Sequence, residues 1–250
     1  MSIPELRFRQ IHLDFHTSPD IQGIGADFDP DEFAGTLEKA RVDSINIFGR
    51  GHHGWIYYDT KRFPERRHPH LQCDLLRRQI EACHKRDIKA PIYITVQWDE
   101  VTANEHPEWL VLDENGKQFG TPPYQPGFYR FLCLNTPYVD FLKAFTQEVI
   151  DELPVDGLWF DIVGPRDCSC VYCRRDMLER GMDPSDAAER WQFQLEVYYN
   201  FKRDMTNFVR QTNDDCLIFY NAGHVSPLHR PVIEAYTHLE LESLPSGGWG

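Results

Sequence analysis

Short runs rich in β-branched and aromatic residues alternate along this chain with longer stretches of helical periodicity. The β-rich runs cover residues 8–15, 44–48, 90–96, 155–163, 216–221 and 238–243. Helical patterns cover residues 31–41, 74–85, 135–153 and 184–212, with a short one at 231–236. Such alternation with short connections predicts parallel strands joined by right-handed crossovers. We therefore predict an α/β fold of the (β/α)8 TIM-barrel type.

The pattern supplies six strands, whereas a closed barrel of this type has eight. The final residues, Gly247-Gly248-Trp249-Gly250, are typical of a loop rather than of a strand or helix. We predict that residues 1–250 form one barrel domain with strands one to six, and that the chain is the N-terminal part of a longer protein. A hydrophobic share of 41% and a charged share of 26% are ordinary for a globular chain and exclude wholesale disorder.

The net charge and the number of cysteines limit which partners and which cellular compartment fit this sequence. The 39 acidic and 26 basic residues give a net charge of −13, which argues against nucleic acid as a partner. No apolar run is long enough to span a membrane, and the first residues lack the pattern of a secretory signal, so we expect a cytoplasmic protein without a membrane partner. The seven cysteines, an odd number, are then expected to be mostly reduced. Self-association as a homo-oligomer is left open.

Active sites of this barrel type lie where the strands end, so polar residues at those points are the candidates. Asp161 follows a buried run that ends in Leu158, Trp159 and Phe160. A carboxylate held there suits the nucleophile of a retaining glycosidase, which needs a second carboxyl group nearby as proton donor. The alternative is that Asp161 caps the loop that follows.

Imidazoles and aromatic rings follow other strands. His12, Asp14 and His16 alternate along the first strand and so share one face. They could bind sugar hydroxyls or a divalent metal, or form a hydrogen-bonded core network. After the second strand, His52 and His53 are candidates for sugar hydroxyls and Trp55 for stacking on a sugar face, although all three could be ordinary loop residues.

Further candidates follow the third, fifth and sixth strands. We predict substrate contacts from Trp98, Asp99, Glu100, Asn221 and His224. Glu240 and Glu242 share one face of the sixth strand, and Glu242 is nearer its exit, which makes it the better catalytic candidate. The alternative is that both glutamates form ion pairs in the barrel wall.

Four cysteines have the spacing of a metal site. Cys168, Cys170 and Cys173 form a Cys-x-Cys-x-x-Cys run, and Cys133 precedes the helix that leads into the fourth strand. Structural zinc takes four such ligands, so we predict a structural zinc and no cofactor for catalysis. Three free thiols, or one disulfide within the loop, remain the alternatives.

The His52-His53 pair and the run Trp159-Phe160-Asp161 resemble the family 29 α-L-fucosidases. In that family a His-His pair contacts the sugar and the aspartate of a Trp-Phe-Asp run is the nucleophile. Nearly the whole chain resembles the proteins grouped as hypothetical glycosyl hydrolase 6, through segments 12–19, 97–100, 132–137 and 242–249. The order of the four cysteines is similar to the zinc-binding pattern of family 42 β-galactosidases, whereas the Asn-Glu pair of those enzymes is replaced here by Phe160-Asp161.

The resemblance implies a retaining glycoside hydrolase with Asp161 as nucleophile and a carbohydrate as its partner. Two other functions stay open. One is a metal-dependent hydrolase of the amidohydrolase or histidinol-phosphatase-like type, because the first strand of those enzymes also ends in closely spaced histidines. The other is a non-catalytic carbohydrate-binding fragment.

Overall fold

The computed structural model describes residues 7–121, 129–221 and 225–240. Five strands form one parallel sheet in the order of the chain. They are β1 (Gln10–His12), β2 (Ser44–Arg50), β3 (Ile92–Thr95), β4 (Gly157–Asp161) and β5 (Leu217–Tyr220). The α/β class and the order of the first five predicted strands are confirmed, and the sheet forms part of a TIM-type barrel.

Helices connect the strands and cover the outer face of the sheet. They are α1 (Pro30–Lys39), α2 (Leu75–His84), α3 (Glu100–Glu105), α4 (Tyr138–Glu152), α5 (Val171–Glu179) and α6 (Ala187–Thr212). Aspartate side chains accept hydrogen bonds from the first-turn amides of α1, α2, α3 and α6. Such caps satisfy donors that would otherwise lack partners, and they fix where each helix starts.

The register of the sheet decides which side chains face the barrel interior. Tyr93 of β3 lies opposite Trp159 of β4, and Thr95 lies opposite Asp161. Tyr93 stacks on Phe48 and Trp159, with ring centroids 4.0 and 5.4 Å apart. Because side chains alternate along a strand, Trp159 and Asp161 share the inner face, and Phe160 between them faces the helices. The inner row ends in Asp161 at the carboxyl edge of the sheet.

Several parts of the chain depart from the predicted elements. The first strand, predicted over residues 8–15, covers only Gln10–His12, so Asp14 and His16 lie beyond it rather than on its face. In the predicted sixth strand, residues 238–240 are not in a strand, and residues 241–243 lie outside the described ranges. The cysteine loop continues directly into α5, whose mixed polar sequence carries little helical periodicity. The stretch from 102 to 133, to which the sequence pattern assigns neither strand nor helix, contains most of α3 and a 3-10 turn at Pro107–Trp109. This last departure has consequences for Asp99, because α3 begins directly after Asp99.

Candidate active site

Asp161 ends β4 with only 5% of its surface exposed, and three side chains surround its carboxylate. Asn221, directly after β5, donates from Nδ2 to Oδ1 at 2.8 Å. His52, in the turn after β2, places Nε2 3.1 Å from Oδ2. The Tyr93 hydroxyl, from β3, donates to the same Oδ2. Residues from four neighbouring strand regions therefore meet at one carboxylate.

These donors set the charge state of Asp161. Burial acts to raise the pKa of Asp161, but the hydrogen bonds of His52, Tyr93 and Asn221 outweigh it, and the pKa lies below its ordinary value. Burial lowers the pKa of His52, despite the opposing bond to Asp161, so the imidazole is neutral near pH 7. The site thus holds an ionised carboxylate among neutral donors.

Two further histidines are fixed beside this group. The ring of His16 stacks on His52 with centroids 3.7 Å apart, and its Nδ1 accepts the His52 backbone N–H at 3.1 Å. The remaining proton of His16 is therefore on Nε2, which lies 3.5 Å from Asp14 Oδ1. His12 places Nδ1 3.1 Å from the Asn46 amide and Nε2 3.1 Å from the same Asp14 oxygen. Hydrogen bonds from both imidazoles hold the pKa of Asp14 far below its usual range.

His12, Asp14 and His16 thus form a hydrogen-bonded network, in which Asp14 is exposed rather than part of the core. Within the described ranges, only the four cysteines bring three or more metal-ligating atoms together. Because His12 and His16 use both ring nitrogens on protein partners, the geometry gives no support to the metal-dependent hydrolase.

Aromatic rings form a wall beside His52. Trp98 meets its ring edge-on at 4.9 Å, and Tyr129 stacks on Trp98 at 5.0 Å. The Tyr129 hydroxyl lies 3.5 Å from Nε2 of His53. Burial and, to a smaller extent, the neighbouring imidazoles lower the pKa of His53 to about 4, so this ring is also neutral. Trp55 lies apart from this wall, edge-on to His68 at 6.3 Å.

The backbone is strained directly after Asp161. Ile162 adopts φ = 56°, a left-handed conformation that a β-branched side chain rarely takes. Strain of this kind amounts to about 1–3 kcal/mol and persists where surrounding bonds enforce it. Here Gln97 N donates to Ile162 O at 3.2 Å, and Val163 N donates to Asn221 O at 3.0 Å. These bonds tie the exits of β3, β4 and β5 together and fix the position of Asp161.

Asp99 and Glu100, predicted to contact substrate, make protein contacts instead. Asp99 is fully buried, accepts from Arg50 Nη1 at 2.7 Å, and caps α3 through the Thr102 amide at 2.9 Å. Glu100 is paired with Arg130, although burial raises its pKa. The sequence could not show that the chain turns into a helix here, which takes Asp99 into its cap.

The region of the predicted sixth strand contributes one glutamate that the structure describes. Glu240 accepts from Trp159 Nε1 at 3.0 Å, and its other oxygen lies 2.6 Å from His238 Nε2. The alternative expectation is an ion pair in the barrel wall, whereas the partners of Glu240 are an indole and an imidazole. Glu242 and His224 lie outside the described residues, so their roles stay predictions.

The four cysteines come together as predicted. The sulfurs of Cys133, Cys168, Cys170 and Cys173 all lie within 4.8 Å of one another, and all four residues are buried. Phe131, whose ring packs on Trp98, also packs against this cluster.

Sequence reasoning missed Tyr93 and Tyr129. Tyr93 lies in the middle of a predicted strand, between two isoleucines. The alternation there places Tyr93 and Thr95 on one face and the isoleucines on the other, a signal that was available but equally typical of core packing. Tyr129 comes from an irregular stretch, for which no periodicity exists to assign a direction.

A family model described as hypothetical glycosyl hydrolase 6 matches residues 29–162, more than half of the chain. The chain belongs to the hypothetical glycosyl hydrolase 6 family. The matched region runs from the start of α1 to the residue after Asp161, and so includes His52, Tyr93 and the end of β4.

The solved structure of α-L-fucosidase isoenzyme 2 from Paenibacillus thiaminolyticus is 40% identical over 98% of the chain, with a TM-score of 0.90. The chain covers 37% of the length of that protein. No curated protein matches the chain.

More distant structures share the fold. The α-L-fucosidase from Vibrio sp. strain EJY3 is 13% identical over 84% of this chain and 30% of its own, with a TM-score of 0.51. A cycloisomaltooligosaccharide glucanotransferase from Paenibacillus sp. is 16% identical over 85% of this chain and 30% of its own, with a TM-score of 0.55. In the part of the chain that the structure describes, no helix is long and apolar enough to cross a membrane.

Proposed function

We propose that the protein carrying this chain is a retaining glycoside hydrolase that cleaves α-L-fucosides, with Asp161 as its nucleophile. The observation that carries the proposal is the environment of Asp161. Its carboxylate ends β4, is almost enclosed, and is held ionised by His52, Tyr93 and Asn221. A glycosidase nucleophile needs this rigidity and charge at the carboxyl end of a barrel strand.

The choice of sugar rests on similarity. The α-L-fucosidase of Paenibacillus thiaminolyticus is 40% identical to this chain over a match that covers 98% of the chain, including the site region. The neutral imidazole of His52, beside Asp161, suits sugar hydroxyls, which both donate and accept hydrogen bonds. Trp98 offers an aromatic surface for the apolar face of a pyranose.

The reaction proceeds in two displacements. Asp161 attacks the anomeric carbon while a carboxylic acid protonates the departing glycosidic oxygen, and the C–O bond to the leaving group breaks. Water, deprotonated by the same second residue, then attacks the anomeric carbon and releases Asp161. Glu242 remains our candidate for that acid and base, from its place in the sequence after Glu240.

A covalent trap tests the nucleophile. The intact protein is incubated with an activated 2-fluoro-fucoside, digested, and analysed by mass spectrometry. We expect a fluorofucosyl group on the peptide that contains Asp161, and none in the Asp161→Asn variant. Labelling of another carboxylate would overturn the assignment.

A panel of nitrophenyl glycosides tests the sugar. We expect the α-L-fucoside to be hydrolysed fastest. Sugar binding without turnover of any glycoside would instead indicate the non-catalytic carbohydrate-binding function.

A further inference from the structure

A second, smaller core lies beside the barrel, separate from the main hydrophobic core. It consists of seven buried residues: Val111, Cys133, Cys168, Cys170, Cys173, Met177 and Phe193. Four of the seven are cysteines, whose side chains bury far less apolar surface than leucine or phenylalanine. A cluster of this size and composition gains little stability from hydrophobic burial alone, so another source of cohesion is expected.

The arrangement of the sulfurs fits a single metal ion. All four lie within 4.8 Å of one another, and those of Cys133 and Cys173 are 3.4 Å apart. A tetrahedral zinc with Zn–S bonds of about 2.3 Å would place its ligands about 3.8 Å from each other. A disulfide needs about 2.05 Å between sulfurs, so the Cys133–Cys173 pair is not bonded.

Hydrogen-bond donors point at three of the sulfurs. The backbone N–H of Asn135 lies 3.4 Å from Cys133 Sγ, and that of Cys170 lies 3.5 Å from Cys168 Sγ. The side-chain amide of Gln194 donates to Cys173 Sγ at 3.2 Å. Donors of this kind stabilise the negative charge of thiolate ligands and orient them toward a metal.

We propose that Cys133, Cys168, Cys170 and Cys173 bind one zinc ion in a closed, tetrahedral four-thiolate site. The donor set is all sulfur, which selects zinc over magnesium or calcium. On binding, each thiol loses its proton to solvent, and no oxidation state changes. The four cysteines fill the coordination sphere, so the ion is structural and takes no part in the reaction at Asp161.

The site joins segments that are distant in the chain. Cys133 ends a strap made of residues 109–112 and 129–133, whose two parts are joined by Val111 N to Phe131 O at 2.8 Å and by Cys133 N to Trp109 O at 2.8 Å. The other three cysteines lie in the loop after β4 and at the start of α5, and Ser169 N donates to Leu112 O of the strap at 2.7 Å. Zinc would therefore clamp the strap to the loop that follows Asp161.

The zinc site is linked to the aromatic wall formed by Trp98 and Tyr129 beside His52. Phe131, two residues before Cys133, forms a β-bridge with Trp98 and packs on its ring at 5.4 Å. Trp98 in turn contacts His52. Loss of the metal would loosen the strap and, through Phe131, the support of Trp98. This inference stands independently of the sugar and the nucleophile proposed above.

Metal content and ligand type test the proposal directly. The intact protein is produced with zinc in the medium, purified without chelator, and measured by elemental analysis and zinc X-ray absorption. We expect one zinc per chain, coordinated by four sulfurs at about 2.3 Å. Cys170→Ser and Cys173→Ser variants should retain less than about a tenth of that zinc.

Cys83→Ser and Cys216→Ser are the matched controls, because both cysteines are buried outside the cluster. They should keep one zinc per chain. Wild-type protein without stoichiometric zinc, zinc bound through oxygen or nitrogen, or a mass two hydrogens lower from a disulfide among the four cysteines would each overturn the proposal. X-ray absorption of the wild type decides the ligands even if a cluster variant fails to fold.

Discussion

Asp99 and Asp161 stand at the exits of neighbouring parallel strands, and both are buried. Their partners differ in kind. Asp99 faces the cation of Arg50 at 2.7 Å, and a second cation, Arg66, lies 3.7 Å away. Asp161 faces an imidazole, a phenol and an amide, and among the described residues no lysine or arginine is paired with it.

The difference separates a structural carboxylate from one that is available for chemistry. Removing the partner of a buried cation leaves an uncompensated charge, so Asp99 is committed to Arg50 and to the cap of α3. Neutral donors stabilise the charge of Asp161 without cancelling it. A carboxylate in such surroundings remains negative and can still attack an electrophile.

Asp161→Asn should have the largest effect on activity. The amide keeps the shape and the contact with Asn221 but cannot attack the anomeric carbon, so we expect kcat/KM to fall on the order of 10³-fold to 10⁵-fold. Steady-state kinetics on an α-L-fucoside measures the loss, and a thermal melt should show a stable fold. Near-normal turnover would move the nucleophile elsewhere.

Asp99→Asn should instead have its main effect on the stability of the fold. Arg50 would be left buried without its counter-charge, which typically costs about 3–5 kcal/mol of unfolding free energy. Denaturant titration measures the loss. Asp59→Asn is the control, because Asp59 also pairs with an arginine, Arg67, at 2.8 Å but on the surface, where a pair contributes less than about 1 kcal/mol. Equal losses in the two variants would contradict the distinction.

The sequence predicts the barrel elements well because each strand carries its own local pattern. The run at 44–48 covers most of β2, and the run at 155–163 contains β4 together with Asp161 at its last position. The roles of Asp99 and Tyr93 could not be predicted in this way. Arg50 and Asp99 are 49 residues apart in the chain, and only the folded packing pairs them. The convergence of the four cysteines was predictable because their spacing is itself a chemical pattern.

Gly54→Ala should disturb Asp99 but not Asp161. Gly54 has φ = 89°, and a Cβ there would overlap Asp99 Oδ1. We expect a loss of about 2–4 kcal/mol, from left-handed strain and from displacement of Asp99. Gly116→Ala isolates the strain, because Gly116 has φ = 78° with nothing within 4 Å of its Cβ, and should cost about 1–2 kcal/mol. Similar losses in both variants would show that the contact with Asp99 is unimportant.

Tyr93→Phe should have the smallest effect, on the pH dependence of activity. The hydroxyl of Tyr93 is one of the groups that hold the pKa of Asp161 below its ordinary value. Asp161 is active when ionised, so activity falls as the pH drops through this pKa. Without the hydroxyl the pKa rises, and we expect the acidic limb of kcat/KM to move to higher pH.

The lowered pKa of Asp161 also makes the stability of the fold depend on pH. A carboxyl group whose pKa is lowered by folding adds stability above its unfolded pKa, about 3.9, and loses it as the pH falls through the folded value. Tyr93→Phe should therefore lose part of this contribution at neutral pH and show a weaker decline of stability toward acid.

Tyr57→Phe is the control for the pH profile of activity, because the Tyr57 hydroxyl is also buried but bonds to Thr17 at 2.9 Å. It should leave the acidic limb unchanged, and a shift in Tyr57→Phe as large as that in Tyr93→Phe would show that the limb does not report on Asp161.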